Sequence, residues 1–197
     1  MKAFARKIGT THYYNDKNKH VVVTLLKLEK SVVGRVKSED KDGYQAAVIV
    51  LDSEKAKVRK SIRNQFKDLN PKYVTEEKIT KDVTEGTEFS VKDLKEDDLI
   101  TVSGVTKGKG FQGTVKRHGF NTGPKTHGSN NYRQPGSIGV TDQSRVVQGK
   151  KMSGHMGAVN KTMKKVRVDK IDEANNIIWV RGHILGPSKA VITISKQ

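Results

Sequence analysis

Short runs of β-branched and aliphatic residues, some alternating with polar ones at the two-residue period of a β-strand, recur along the chain between turn signals. Val21-Val22-Val23-Thr24-Leu25-Leu26 forms the centre of one such run over Lys19–Glu29, and Ser31–Lys37 follows with β-branched residues set against polar ones. Asp42-Gly43 is a turn signal leading to Tyr44–Leu51, another β-rich run. Glu88–Val91 and Asp98–Val105 have the same character; in the latter Ile100 and Val102 face one side, and Leu99, Thr101 and Ser103 the other. After a long interruption come Lys164–Ile171, a turn at Asn175-Asn176, then Ile177–Gly182 and Ala190–Ser195. Ser53–Lys67 differs, reading as the start of a short helix capped by Ser53. Asn70-Pro71 breaks the chain, and Lys72–Thr84 is charged and weakly patterned. Short strands with turn signals and no strand–helix alternation predict a mainly β fold, a small closed or nearly closed antiparallel barrel.

The interruption between the strands changes the picture. Of 197 residues, 38 are Lys or Arg and 21 Asp or Glu, a net charge of +17. Between Thr101 and Val168 stand thirteen Lys/Arg and a single acid, Asp142, together with twelve of the 18 glycines. The rest of the chain is close to an ordinary solvated surface. Val146-Val147 is an isolated aliphatic pair in the stretch and Ile138 stands alone, so it cannot bury enough apolar area to offset the entropy of ordering itself. It is expected to be disordered or to be ordered by a polyanion. Strand-like sequence on both sides makes it an excursion from within a domain.

Other classes are excluded by composition. Hydrophobic residues make up 34% and mean hydropathy is −0.66, enough for one modest core. No apolar run approaches the roughly 20 residues of a membrane-spanning helix. Met1–Gly9 is basic without an apolar stretch, so no secretory signal is expected. Cysteine is missing, which excludes disulfides, thiolate metal sites and cysteine nucleophiles.

Gly108-Lys109-Gly110-Phe111-Gln112-Gly113 has the G-x-G-x-x-G spacing of a dinucleotide loop. The sequence after it carries Gly119 inside any helix, and no acid follows at the distance that would hold a ribose hydroxyl. His118, His127 and His155 lack metal-ligand spacing, and Ser129, Ser137, Ser144 and Ser153 have only Asp142 to orient a base. Glu76-Glu77 and Asp97-Asp98 read as solvated surface. No enzyme, metal, cofactor or small-molecule substrate is expected. Glycines instead let the backbone approach a ligand and turn its N–H groups to phosphates. Lys107, Lys109, Lys116, Arg117, Lys125, Arg133, Arg145, Lys150 and Lys151 would neutralise a phosphate array, and Phe111, His118, Phe120, His127 and Tyr132 offer flat faces to unstacked bases. Folded RNA fits better than duplex DNA, whose readers present a helix or ribbon to a groove.

At these residues the sequence resembles the universal large-subunit ribosomal protein three family in its bacterial form. The resemblance rests on VSGVTKGKGFQGTVKRHGF at Val102–Phe120, THGSNNYRQPGSIG at Thr126–Gly139 and GKKMSGHMG at Gly149–Gly157, with weaker echoes at Arg6–Thr10 and Val166–Pro187. It implies a six-stranded barrel of the translation-factor kind, a partly helical or irregular insertion, and a long glycine-rich basic extension. The extension would run through ribosomal RNA toward the peptidyl transferase centre. The implied role is a structural constituent of the large subunit, in the cytoplasm, that binds large-subunit ribosomal RNA early in assembly beside neighbouring large-subunit ribosomal proteins and away from any membrane. By position, Lys107, Lys109, Lys116, Arg117 and His118 would contact RNA at the extension's root. His127, Arg133 and Gln134 through Gly139 would lie on its outgoing limb, Lys150, Lys151 and His155 on its returning limb, and Val140–Val147 at its tip. The usual Gly-Met-Thr near the start is Gly9-Thr10-Thr11 here. The usual Thr-Pro-Gly stretch at the tip is Asp142-Gln143-Ser144-Arg145, which makes Gln143 the local candidate for the glutamine that some members methylate.

The organisation expected is barrel strands over 1–52, the insertion over 53–97, a barrel strand at 98–105, the RNA-binding extension at 106–160, and barrel strands over 161–197. Two rivals remain at this level: a free-standing RNA chaperone or architectural binder, and a nucleotide-binding enzyme using Gly108–Gly113.

Overall fold

The computed structural model describes residues 2–15, 17–53, 58–66, 69–79 and 83–196. They fall into two compact units, 1–105 with 160–197, and 106–159. In chain order the strands are β1 (Lys2–Tyr14), β2 (His20–Leu28), β3 (Ser31–Lys37), β4 (Ala46–Asp52), β5 (Pro71–Lys78), β6 (Glu88–Phe89), β7 (Leu99–Val105), β8 (Phe111–Gln112), β9 (Gly154–His155), β10 (Asn160–Asp172), β11 (Ile177–Arg181) and β12 (Val191–Lys196).

Six strands of the first unit close a barrel in the order β1-β12-β7-β10-β11-β2, with β2 returning to β1 and every neighbouring pair antiparallel. Alternation decides what fills it. Leu26 and Leu28, Ile100 and Val102, Val166 and Val168, Ile178 and Val180, and Ile192 and Ile194 all pack into one aliphatic cluster. Burying each such side chain contributes about 1.5–3 kcal/mol. The barrel contribution of β1 is small side chains, Ala3 and Ala5, followed by Lys7. The Lys7 ammonium donates to the carbonyls of Ile184 (2.5 Å) and Gly186 (3.1 Å), which is why a buried lysine is tolerated there. Both thirteen-residue strands, β1 and β10, carry register shifts, at Lys7/Gly9 and at Met163/Val166 and Val168/Lys170. Such bulges bend a long strand so that it can serve two neighbours around a closed sheet.

A second sheet has the order β5-β4-β3-β6. β3 and β4, expected among the barrel strands of 1–52, pair with β5 and β6 instead. The reason lies in β4: Ala47, Ile49 and Leu51 pack with Phe4 and Val33, while Val48 and Val50 pack with Phe66 on the other face. A strand apolar on both faces needs cover on both. The 53–97 insertion supplies Phe66, just after the single-turn helix α2 (Lys60–Arg63), and the strand β5. α2 is capped by Arg59; of the stretch Ser53–Lys67 on which a Ser53-capped helix was expected, residues 54–57 and 67 lie outside the described residues. At Asp42-Gly43 the expected turn takes the form of one helical turn, α1 (Glu39–Asp42), closed by Gly43 in the left-handed conformation. Asn160, grouped by sequence with the extension, opens β10 opposite Val105.

Two outcomes are expected of the barrel. Ile178→Ala removes a fully buried side chain and should cost about 2–5 kcal/mol by chemical denaturation. At the β12–β7 seam, the Lys196 ammonium (2.6 Å) and the Lys95 amide (2.8 Å) hold the Asp98 carboxyl below the usual carboxylate range. A depressed folded value contributes stability that is present above about pH 4 and is lost as pH falls through that value. Asp98→Asn should therefore make the thermal midpoint less sensitive to acid below about pH 4 than in the parent chain.

Candidate nucleic-acid interface

The second unit begins one residue after β7 ends and stops one residue before β10 starts. Its limbs are laced by backbone hydrogen bonds near the ends. The Thr106 amide donates to the Val159 carbonyl (3.0 Å), the Lys109 amide to Met156 (2.9 Å) and the Met156 amide to Gly110 (2.9 Å). β8 and β9 then place Phe111 opposite His155 and Gln112 opposite Gly154. Gly157, at φ +74°, sits so close to the Lys107 carbonyl that a methyl group would overlap its oxygen. Only glycine allows the two limbs this approach.

α3 (Thr114–His118) follows β8, entered at Gly113 and ended by Gly119 in the left-handed conformation. Its last two residues point to the returning limb. Arg117 Nη1 donates to the Met152 carbonyl (2.7 Å), and His118 Nε2 lies 3.0 Å from the same oxygen. A carbonyl only accepts, so this contact requires the proton on Nε2. Farther out, the Gly123 amide donates to Tyr132 (2.9 Å), and Lys125 Nζ lies 5.4 Å from the centre of the Tyr132 ring, a cation–π contact. Beyond Arg133 the bonds thin out. Ser137 Oγ donates to Gly139 (3.0 Å), a 3₁₀ turn covers Thr141–Gln143, and the Lys150 amide donates to Val147 (3.2 Å).

The unit has almost no core: within 106–159 only Thr114 is buried. Lys107, Lys109, Lys116, Arg117, Lys125, His127, Arg133, Gln134, Gln143, Arg145, Lys150, Lys151 and His155 are exposed, His118, Phe120 and Tyr132 are half-buried, and Phe111 is 75% exposed. Phe111 and His155 across the strand pair, Arg117 with His118 on the Met152 carbonyl, His118 with Phe120 and Lys125 with Tyr132 are brought together; Gln134, Arg145, Lys150 and Lys151 form no side-chain hydrogen bond or ion pair with the others. Nine Lys/Arg face one carboxylate, Asp142. The ion pairs among the described residues all lie in the first unit, such as Arg6–Glu29, Arg35–Asp42 and Arg167–Asp97. Sequence reasoning missed the Met152 carbonyl as the anchor of Arg117 and His118, because a main-chain acceptor leaves no mark in side-chain chemistry.

The Gly108–Gly113 motif has a backbone role of its own. The Gly110 carbonyl and the Lys109 amide are both taken by Met156, and the helix after the motif is one turn long. Among the described residues every strand pair is antiparallel, whereas a dinucleotide loop belongs to a parallel βαβ unit. Among the described residues no three His, Asp or Glu side chains converge as metal ligands, and no helix is long and apolar enough to cross a membrane.

The family model for Ribosomal protein L3 matches residues 6–177, a span that contains the whole second unit. The chain belongs to the Ribosomal protein L3 family. Among curated L3 relatives, the large ribosomal subunit protein uL3 of Staphylococcus epidermidis is 36% identical over 205 residues, covering 96% of this chain and 93% of that protein. That of Natranaerobius thermophilus is 37% identical over 195 residues with the same coverage. That of Chlorobaculum tepidum is 39% identical over 198 residues, covering 96% of this chain and 95% of its own. The L3 family is a structural component of the ribosome and not an enzyme, which removes the nucleotide-binding enzyme as a rival.

The close approach of the two limbs is testable. Gly157→Ala places a side chain at a left-handed position, at about 1–2 kcal/mol, and against the Lys107 oxygen as well. Hydrogen exchange should show the Lys109 and Met156 amides losing at least about tenfold protection, while Val102 and Val168 in the barrel keep theirs.

Proposed function

We propose that the chain binds large-subunit ribosomal RNA directly through the 106–159 unit, takes its place early in large-subunit assembly, and directs the Val140–Val147 tip toward the peptidyl transferase centre. The carrying observation is a segment with nine exposed or helix-terminal cations, one acid, one buried residue and no ion pair among the described residues. Such a surface is unfavourable alone and favourable against phosphate, where each neutralised phosphate also releases a condensed counterion. The course toward the catalytic centre follows the family resemblance of the three glycine-rich segments.

In this reading Lys107, Lys109, Lys116, Arg117, Lys125, Arg133, Arg145, Lys150 and Lys151 meet phosphates. Phe111 and His155, adjacent across β8 and β9, offer a stacking face, with His118, His127 and Tyr132 as further faces and Gln134 as a hydrogen-bonding group. Neighbouring large-subunit proteins share the site of assembly, and the location is the cytoplasmic ribosome. Gln143, exposed at the end of its 3₁₀ turn, is the residue we assign to methylation at the tip; peptide mass analysis of ribosome-bound protein reads it directly. The function needs no chemistry from the protein itself, because the cations act by position and charge.

The test reverses charge on the returning limb and compares it with equally exposed lysines elsewhere. Lys150→Glu with Lys151→Glu should slow large-subunit assembly and lower the salt slope of RNA binding by about 1.4–1.8, two contacts' worth. Lys72→Glu with Lys78→Glu on β5 should change neither. Equal defects in both variants would mean that total charge, not the extension, carries the function. Loss of the parent chain from large subunits in a high-salt wash would favour the chaperone.

A further inference from the structure

The hairpin of β1 and β2 runs past the barrel, and its two faces are used differently. β11 pairs with β2 only from Lys27 to Val23, so the hairpin beyond Val22 has no third strand. Alternation along β1 sends Tyr13 to one face and His12 and Tyr14 to the other. Tyr13 is the anchor. Its ring meets Trp179 edge-on at 5.9 Å, Lys170 Nζ sits 4.5 Å from its centre, and its hydroxyl donates to Asp169. The turn is fixed as well: the Asn15 side chain accepts from the Lys17 (3.1 Å) and Lys19 (2.9 Å) amides, with Asn18 left-handed at φ +51°.

The opposite face carries three rings and no cover. His20 lies opposite Tyr14 in register. The His12 and His20 rings are 4.6 Å apart, Tyr14 stands edge-on to both at 6.4 and 5.7 Å, and all three residues are exposed, Tyr14 by 66%. Thr10 lies on the same face two positions before His12, and Lys17 and Lys19 stand exposed in the adjoining turn, so the patch joins flat π-faces to polar and cationic neighbours instead of an apolar groove. Lys17 and Lys19 have no ion pair among the described residues.

We propose that His12, Tyr14 and His20 form a second RNA-binding surface, a pre-organised platform for an unstacked base of ribosomal RNA whose flanking phosphates lie at Lys17 and Lys19. The partner class rests on the ribosomal RNA reading above; the site does not share a residue with the extension. Flat rings held in place lose little freedom on binding and stack on any base. Stacking is not ionic, so its loss lowers affinity without changing the salt slope, in contrast to charge reversal on the extension.

The experiment measures binding of the full chain to large-subunit ribosomal RNA over a salt series, with ultraviolet crosslinking of assembled subunits read by mass spectrometry. His12→Ala/Tyr14→Ala/His20→Ala should bind about tenfold more weakly at every salt concentration with an unchanged slope, and Tyr14→Trp should retain parent affinity. Nucleotide adducts should fall on the tryptic peptide 8–17 and vanish in the triple variant. Unchanged affinity of the triple variant, or crosslinks from this peptide to a neighbouring protein alone, overturns the platform. An unaltered slope in the Lys150/Lys151 variant would count against the extension and leave the platform standing.

Discussion

Nine like charges held on a segment without a core repel one another, and nothing in that segment offsets the repulsion except a partner of opposite charge. The rest of the molecule can be read from this constraint. Elsewhere in the chain some lysines and arginines find a carboxylate, as Arg6 does in Glu29 and Arg35 in Asp42. Those of 106–159 have only Asp142 as a carboxylate within their unit, whose shape comes from backbone hydrogen bonds and a few side chains held on carbonyls, such as Arg117 and His118 on Met152. Hydrogen bonds between peptide groups are indifferent to side-chain charge, so the Thr106–Val159 and Lys109–Met156 pairs can hold two cationic limbs in register without asking for any burial.

The barrel answers a different demand. Its six strands bury a single aliphatic cluster and leave no open edge, and β7 and β10 are neighbours in it with Val105 opposite Asn160. A segment that leaves and re-enters through paired positions has its ends fixed before it meets any ligand. The glycines belong to the same logic: Gly157 lets the limbs come within backbone contact of each other, and a bulkier residue there would part them.

How legible this was depended on which signal each element leaves. β2, β7, β11 and β12 were readable because each is a short run dense in β-branched and aliphatic residues. β1 was not, because the barrel takes only Ala3, Ala5 and the satisfied Lys7 from it, residues with no strand signature. β5 begins at a proline, lies at a sheet edge and is polar at Lys72 and from Thr75 to Lys78, so only Tyr73 and Val74 hint at a strand. β4 was seen as a strand but assigned to the wrong layer, since an unbroken apolar run reports burial on two faces without naming the partners. The basic extension was visible as charge and glycine density, because those are compositional. Its internal geometry was not, resting on carbonyls such as those of Met152 and Lys107 that sequence does not mark.

Solubility alone does not account for the charge distribution. A chain selected only to stay dispersed gains as much from cations scattered over the barrel as from cations crowded together, and crowding them costs repulsion in addition. Concentration of charge in the one region that has no core is favourable only if that region meets a dense array of negative charge. A phosphate backbone provides such an array, and its irregular folds suit a segment whose conformation is set by glycines and peptide hydrogen bonds instead of packed side chains. Under the proposed function, membership in a ribosomal family and the physics of the segment point to the same partner by separate routes: one from the identity of residues along the chain, the other from nine cations that share a single carboxylate, Asp142, within their unit.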